Sequence, residues 1–97
     1  RVAETVEELT VNFEEDGVLK VKELDKHVLT KGAWATVMYL YQDFDRRKED
    51  YGPTKVAIRR YQKRDGVYTY RSKFNISSLD QAQKVVEALN KWIEAGT

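Results

Sequence analysis

The sequence has no cysteine and a single histidine, His27, among its 97 residues. Without cysteine the chain has no disulfide, no thiol nucleophile and no cysteine-ligated zinc or iron–sulfur site. One histidine also excludes the multi-histidine centres of hydrolytic metalloenzymes. No apolar run approaches the roughly 20 residues of a membrane-spanning helix, and no signal-peptide pattern opens the chain. We therefore expect an intracellular protein of the cytoplasm or nucleoid that makes no membrane contact.

Catalytic signatures are also missing. The chain has no glycine-rich phosphate loop and no dinucleotide-binding fingerprint, and no serine has a histidine placed as its base. The acidic clusters at residues 14–16 and 43–45 match no cation-binding loop, so solvated turns are the favoured interpretation over a divalent-ion enzyme. We expect a protein that is not an enzyme, with no catalytic residues, cofactor, bound metal or small-molecule substrate.

Length and composition predict one domain over residues 1–97 with a modest core, since 41% of residues are apolar and 34% charged. Alternating apolar residues predict five strands, at 8–13, 18–24, 34–42, 54–63 and 67–76. A capping sequence from Ser78 to Gln81 and apolar residues at helical spacing predict a final helix over 78–95, ended by Gly96. The expected fold is α+β: an antiparallel meander sheet of about five strands followed by one C-terminal helix.

The segments between these elements are assigned by their composition. Residues 1–7 are acidic and without pattern, which predicts a frayed end. Residues 8–32 are predicted as an N-terminal hairpin and connector, and 33–76 as the core of the sheet. The charged stretch 43–53 is predicted as a long loop.

The net charge of +1 conceals a strongly basic region. Residues 54–77 carry seven basic side chains and one acidic one, whereas residues 1–31 carry five basic and eight acidic ones. Nine of the 11 aromatic residues fall between Trp34 and Phe74, so the basic and aromatic regions overlap. Cations bind phosphates and flat rings accept unstacked bases, so this composition favours single-stranded nucleic acid. An ordinary solvated sheet face is the alternative.

Strict alternation along the last two strands predicts where these side chains point. Arg59, Tyr61 and Lys63 then face outward on the fourth strand. Arg71 and Lys73 face outward on the fifth, forming one cationic patch with an aromatic ring inside it. The candidate nucleic-acid-binding residues are Lys55, Arg59, Tyr61, Lys63, Arg64, Tyr68, Tyr70, Arg71 and Lys73.

The opposite side of the same strands is expected to face the core and the helix. Phe74 and Ile76 belong to that side of the last strand, to which strict alternation also assigns Tyr68 and Tyr70. Arg60 breaks the pattern, because alternation puts its charge on the same side as Val56 and Ile58.

Residues 52–61, which run Gly-Pro-Thr-Lys-Val-Ala-Ile-Arg-Arg-Tyr, carry a family resemblance. This stretch resembles the central strand of the positive-cofactor-four family, which are single-stranded-DNA-binding transcriptional coactivators with bacterial relatives. Gly66, Lys73, Ile76-Ser77 and the helix from Leu79 follow in the family's order, and the resemblance covers roughly residues 34–93. The chain departs from the family at Arg60, where an acidic residue is usual, and at Phe74, where the family has glycine.

The resemblance implies a strand–strand–strand–strand–helix fold that forms homodimers through helices and strands. It also implies that single-stranded DNA binds on curved sheets with little sequence preference, and that Arg59, Tyr61 and Lys73 are the matching positions. A transcriptional role follows from the same resemblance. The residues themselves leave DNA and RNA open. The alternative function is a protein–protein interaction module that uses the aromatic strand 34–41 and the helix face.

Overall fold

The computed structural model describes residues 3–96, in which one curled antiparallel sheet is followed by one helix. The sheet order is β1-β2-β3-β5-β6, and β4 pairs with the end of β3. The predicted α+β class and the C-terminal helix are confirmed. The elements are a 3-10 turn Val6–Glu8, β1 Phe13–Glu15, β2 Val18–Thr30, β3 Trp34–Asp45, β4 Asp50–Tyr51, β5 Lys55–Arg64, β6 Val67–Ile76 and the helix α1 Leu79–Ala95.

Two hairpin turns follow directly from Asp-Gly pairs. Asp16 and Gly17 join β1 to β2, while Asp65 and Gly66 join β5 to β6, and all four residues have positive φ angles between 53° and 82°. Such angles match the twist of the flanking strands, and Asp-Gly adopts them at low cost. These turns fix the start of β2 and of β6 where the sequence predicted them.

The strands β2 and β3 are longer than the sequence predicted. Residues 25–30, expected in a connector, continue β2, and residues 43–45, expected in a loop, continue β3. The register of β2 against β3 shifts between Glu23 and Asp25 and again between Val28 and Thr30. Each β-bulge shifts the alternation by one residue. The two-residue period is therefore lost from the sequence of β2 although the strand continues.

The N-terminal segment, residues 3–12, crosses one face of the sheet, and we call it the strap. The strand predicted at 8–13 is wrong except at Phe13, and the frayed end predicted for 1–7 is wrong for residues 3–7. Ala3 accepts a hydrogen bond from the Tyr68 backbone nitrogen at 2.8 Å, and Val6 is buried on the 3-10 turn. Arg1 and Val2 lie outside the described residues.

The core lies between the strap and the face of the sheet that it covers, which we call the inner face. Hydrophobic side chains spaced three and two residues apart in the strap point toward this face, so a short irregular segment can bury several of them. The core residues are Val6, Leu9 and Val11 of the strap with Ala35, Val37, Tyr39, Tyr41, Ala57 and Tyr61 of the sheet. The opposite, outer face has no such cover from the strap.

The helix α1 begins and ends as predicted but hardly packs on the sheet. The Gln81 backbone nitrogen donates to Ser78 Oγ at 3.1 Å, and Gly96 ends the helix with a φ angle of 75°. No residue of α1 is buried, and Phe74, expected in the core under the helix, is 63% exposed on the outer face. The apolar side of α1 is therefore uncovered. None of the helices described in residues 3–96 is both long enough and apolar enough to span a membrane.

Candidate nucleic-acid interface

A groove runs along the inner face between the strap and β6, with β3 and β5 in its floor. One recess of about 260 Å³, which we call the cationic half, is lined by Val11, Tyr41, Asp43, Arg59, Lys73 and Asn75 among others. A second recess of about 570 Å³, the aromatic half, is lined by Glu8, Thr10, Asn12, Arg59, Tyr68 and Tyr70 among others. Because Arg59 lines both recesses, it stands at the point where the two halves meet.

Arg59 is the central cation of this groove. It lies opposite Val37 of β3 on one side and opposite Lys73 of β6 on the other. Its guanidinium carbon is 5.2 Å from the centre of the Tyr70 ring, within cation–π range. Its Nε atom is buried and has no hydrogen-bond partner in the described part of the chain. A buried donor without a partner costs free energy, which the fold tolerates at this position.

A β-bulge in β6 brings Tyr70 to the groove. Arg60 pairs with Ser72, but the next residue, Tyr61, pairs with Tyr70, so Arg71 is left between two paired positions. Strict alternation had placed Tyr70 on the side opposite Lys73, and that assignment is wrong. The bulge shifts the alternation, so the 48% exposed ring of Tyr70 lies on the inner face with the two cations.

The same bulge removes Arg71 from the predicted patch. Its Nε atom donates to Gln62 Oε1 at 3.1 Å, and Gln62 is paired with Trp34 on the outer face. Arg71 therefore lies on the opposite side of the sheet from Arg59 and Lys73. The prediction that it faces outward beside them is wrong.

Tyr61 is buried, although the sequence predicted an outward ring for base stacking. Only 4% of its surface is exposed, because strap residues cover it as part of the core. Its hydroxyl lies 2.9 Å from that of Tyr39, and its ring meets Tyr70 edge to face with centroids 6.4 Å apart. The buried ring of Tyr61 thus packs against the partly exposed ring of Tyr70.

Burial raises the pKa of Tyr39 well above its usual value of 10.0, and the hydrogen bond with Tyr61 raises it further. The folded state therefore disfavours the tyrosinate, whereas an unfolded chain ionises near pH 10. The stabilisation from keeping Tyr39 protonated is fully present below pH 10. It is lost as the pH rises above that value.

We expect the free energy of unfolding to fall above pH 10 by about 1.4 kcal/mol per pH unit for this group. Urea titrations between pH 8 and pH 11 measure that slope. Burial also raises the pKa of Tyr41, so the wild-type slope contains a second contribution. Tyr39→Phe should reduce the slope, although it also destabilises the fold at neutral pH by about 1–3 kcal/mol because Tyr61 loses its partner. An unchanged slope in Tyr39→Phe contradicts the assignment.

Lys55 is already paired within the protein. Its Nζ lies 2.9 Å from Asp43 Oδ2, and this hydrogen bond raises the pKa of Lys55. The pair neutralises the acidic side chain that lines the cationic half. Arg59 and Lys73 are therefore the cations that this half offers to an anion.

The other candidates lie at the far end of the groove or outside it. The Lys63 ammonium is 5.3 Å from the centre of the Tyr68 ring, and the Tyr68 hydroxyl donates to the Gly32 carbonyl at 2.8 Å. Tyr68 lines the aromatic half, and Lys63 lies over its ring. Arg64 ends β5 and pairs with Val67 next to the hairpin turn, away from the groove.

The outer face combines aromatic and apolar side chains with the arginines Arg60 and Arg71. Trp34, Met38, Ile58 and Phe74 lie on it, and the Arg60 guanidinium stacks on the Trp34 ring at 4.7 Å. Arg60 therefore lies with Ile58, as alternation predicted, and its stacking explains how a charge fits on this side. In residues 3–96 no cluster of histidine, cysteine and acidic side chains is arranged to hold a metal ion.

The sequence did not predict that the strap forms one wall of the groove. Thr10 Oγ1 donates to Glu23 Oε1 at 2.6 Å, and the Glu23 nitrogen donates to Asn12 Oδ1 at 2.7 Å, so this wall is tied to β2. Leu9 and Val11 are buried although the strand predicted for them does not form, and Phe13, expected on the same side, is exposed. No local pattern indicated which face of the sheet they would cover.

Comparison with known proteins gives no relative from which a role could be transferred. No protein-family model, no curated protein and no solved structure matches this chain.

Proposed function

We propose that this protein binds single-stranded nucleic acid, with DNA as the first candidate, in the groove between the strap and β6. The observation that carries the proposal is Arg59, which lines both halves of the groove and lies between Lys73 and the exposed ring of Tyr70. Such a site offers cations to phosphates and a ring to an unstacked base. The protein then acts by binding and performs no catalysis.

The shape of the groove favours a single strand over a duplex. A base can reach Tyr70 only if it is unstacked and unpaired, which a single strand permits. Stacking accepts every base, so we expect little sequence preference.

A second copy of this chain is the proposed partner of the outer face. Phe74 of the sheet and Ile93 of the helix are 63% and 71% exposed, and both belong to uncovered apolar surfaces of the same chain. A two-fold dimer can cover the sheet of one copy with the helix of the other. The grooves lie on the opposite face and stay open. The resemblance to the positive-cofactor-four family supports the dimer and extends the proposal to transcription.

Fluorescence anisotropy of a labelled 20-nucleotide thymidine strand tests the proposed function. We expect the single strand to bind more tightly than its duplex. We also expect the logarithm of affinity to fall linearly with that of the salt concentration, by about 0.7 for each phosphate contacted. No binding at low salt, or equal affinity for the duplex, contradicts the proposal. An RNA strand of the same length decides between the two nucleic acids.

A protein–protein interaction module is the second candidate, favoured by the exposed apolar side of α1. In that case the helix and outer face bind a different protein, and the groove has no ligand of its own. The anisotropy experiment separates the two candidates, because this alternative predicts no binding of bare oligonucleotides.

A further inference from the structure

A second group of basic and aromatic side chains lies on the outer face, outside the groove. Trp34 begins β3 and is 42% exposed, and the Arg60 guanidinium carbon is 4.7 Å from the centre of its ring. Arg71 lies on the same side, where its Nε donates to Gln62, the register partner of Trp34. We call Trp34, Arg60 and Arg71 the outer patch.

Within residues 3–96 no carboxylate neutralises either arginine of the outer patch. The Arg60 side chain forms no ion pair or hydrogen bond with these residues, and the Arg71 side chain bonds only to the uncharged Gln62. Both arginines are exposed. A guanidinium binds phosphate and also stacks on a base, and an indole ring accepts an unstacked base. The outer patch therefore offers the same two kinds of contact as the groove.

The groove and the outer patch meet at one edge of the sheet. β6 is the last strand in the sheet order, and beyond the bridge from Ala3 to Tyr68 none of the described residues pairs with its free side. Because of the β-bulge, Tyr70 faces the groove while the next residue, Arg71, faces the outer patch. A nucleic-acid strand that leaves Tyr70 thus reaches Arg71 by crossing a single β-strand.

The proposed dimer uses a different part of the outer face. α1 follows the Ile76 end of β6, and Phe74 lies close to that end. Gln62, beside Trp34, pairs instead with Thr69 near the start of β6. The outer patch and the surface proposed for the dimer therefore lie toward opposite ends of β6.

We propose that the outer patch is a second binding surface for the same single strand of nucleic acid, which passes from the groove around the edge of β6. This inference rests on the proposed function and adds a site to it. Phosphates of the strand contact Arg71 and Arg60, and an unstacked base lies against Trp34. Charge complementarity favours this occupant, because two unpaired arginines beside an exposed ring match a polyanion that carries bases.

The fluorescence of Trp34 tests this inference in the variant Trp92→Phe, in which Trp34 is the only tryptophan. The 20-nucleotide thymidine strand should quench its emission, because a base stacks on the indole, and an abasic strand of the same length should quench it less at saturation. Unchanged emission while anisotropy shows that the strand is bound overturns the inference. Emission that changes with protein concentration but not with added strand also overturns it, because a second copy then covers Trp34.

Arg60→Gln combined with Arg71→Gln gives a second, independent measurement. We expect the affinity for the thymidine strand to fall about three- to tenfold, as for two exposed charge contacts. The slope of log affinity against log salt should fall by about 1.4. Thermal unfolding of this variant should match the wild type, because both side chains are exposed.

Lys84→Gln with Lys91→Gln is the matched control, since it removes the same number of charges from α1, outside the outer patch. It should keep the wild-type salt slope. An unchanged slope in the Arg60 and Arg71 variant, or an equal loss of affinity in the control, overturns the inference and leaves the groove as the binding site. Failure of the wild type to bind the thymidine strand instead overturns the proposed function, and this inference with it.

Discussion

Replacing Arg59 and Lys73 together by glutamine is expected to weaken single-strand binding at low salt by about a hundredfold or more. Each residue contributes a charge-assisted contact to a phosphate, worth about 1.5–3 kcal/mol. The two side chains are register partners on neighbouring strands, so a strand in the groove meets both. Anisotropy titrations of the labelled thymidine strand measure the loss.

The salt dependence gives an independent measure of the same contacts. Losing two phosphate contacts should lower the slope of log affinity against log salt by about 1.4. The fold should be retained, because Arg59 Nε has no partner to lose in the described chain and Lys73 is exposed. Equal thermal unfolding temperatures for variant and wild type would establish this.

Lys84→Gln with Lys91→Gln is the matched control for net charge. Both lysines lie exposed on α1, outside the groove, and their loss removes the same two charges. This control should keep most of the affinity, because only a diffuse attraction is lost. Wild-type affinity in the Arg59 and Lys73 variant, or an equal loss in the control, would falsify the assignment of the groove.

The parts of the fold that local chemistry dictates could be predicted from the sequence. The bounds of β6 follow from the Asp65-Gly66 turn and from Ser78, which ends the strand region and caps the helix. The left-handed Gly96 marks the end of α1. In these places one or two residues decide the backbone conformation, and their preference is strong enough to act without the rest of the fold.

Non-local packing could not be predicted in the same way. The strap contains three acidic residues, Glu4, Glu7 and Glu8, around its buried residues Val6 and Leu9, so its composition does not predict a buried segment. It lies across the sheet because the inner face is apolar. Similarly, the periodicity of α1 correctly indicated one apolar side. Periodicity does not say whether that side packs within the chain, and here it is left uncovered.

Composition indicated which residue types line the candidate groove, whereas strict alternation gave several of their side chains the wrong position. Arg59 and Lys73 lie together as alternation required, since no bulge interrupts the pairing of β5 and β6 between them. Beyond Arg60 the bulge shifts the alternation, which brings Tyr70 to the groove and turns Arg71 away. Because of this one extra residue, the groove contains the ring of Tyr70 where the sequence predicted the charge of Arg71. The sequence contains no local signal for the bulge.

Ile93→Glu is expected to convert the proposed dimer to a monomer. Ile93 is 71% exposed on the apolar side of α1, so a second copy that covers this side would bury the new carboxylate. An unpaired charge in an apolar interface costs several kcal/mol, and two-fold symmetry applies the cost twice. Size-exclusion chromatography with light scattering should give a mass near 11.3 kDa for the variant and twice that for the wild type.

Lys91→Glu is the control, because it places a carboxylate on the polar side of α1, two residues from Ile93 and so on the opposite side of the helix. It should leave the dimer intact, since its carboxylate stays in water. A monomeric wild type, or a dimer that survives Ile93→Glu, contradicts the proposed interface. In the first case the helix would be left for a different protein, which is the alternative function. In either case the groove remains testable by itself, because each copy carries its own Arg59, Lys73 and Tyr70 on the inner face, away from α1.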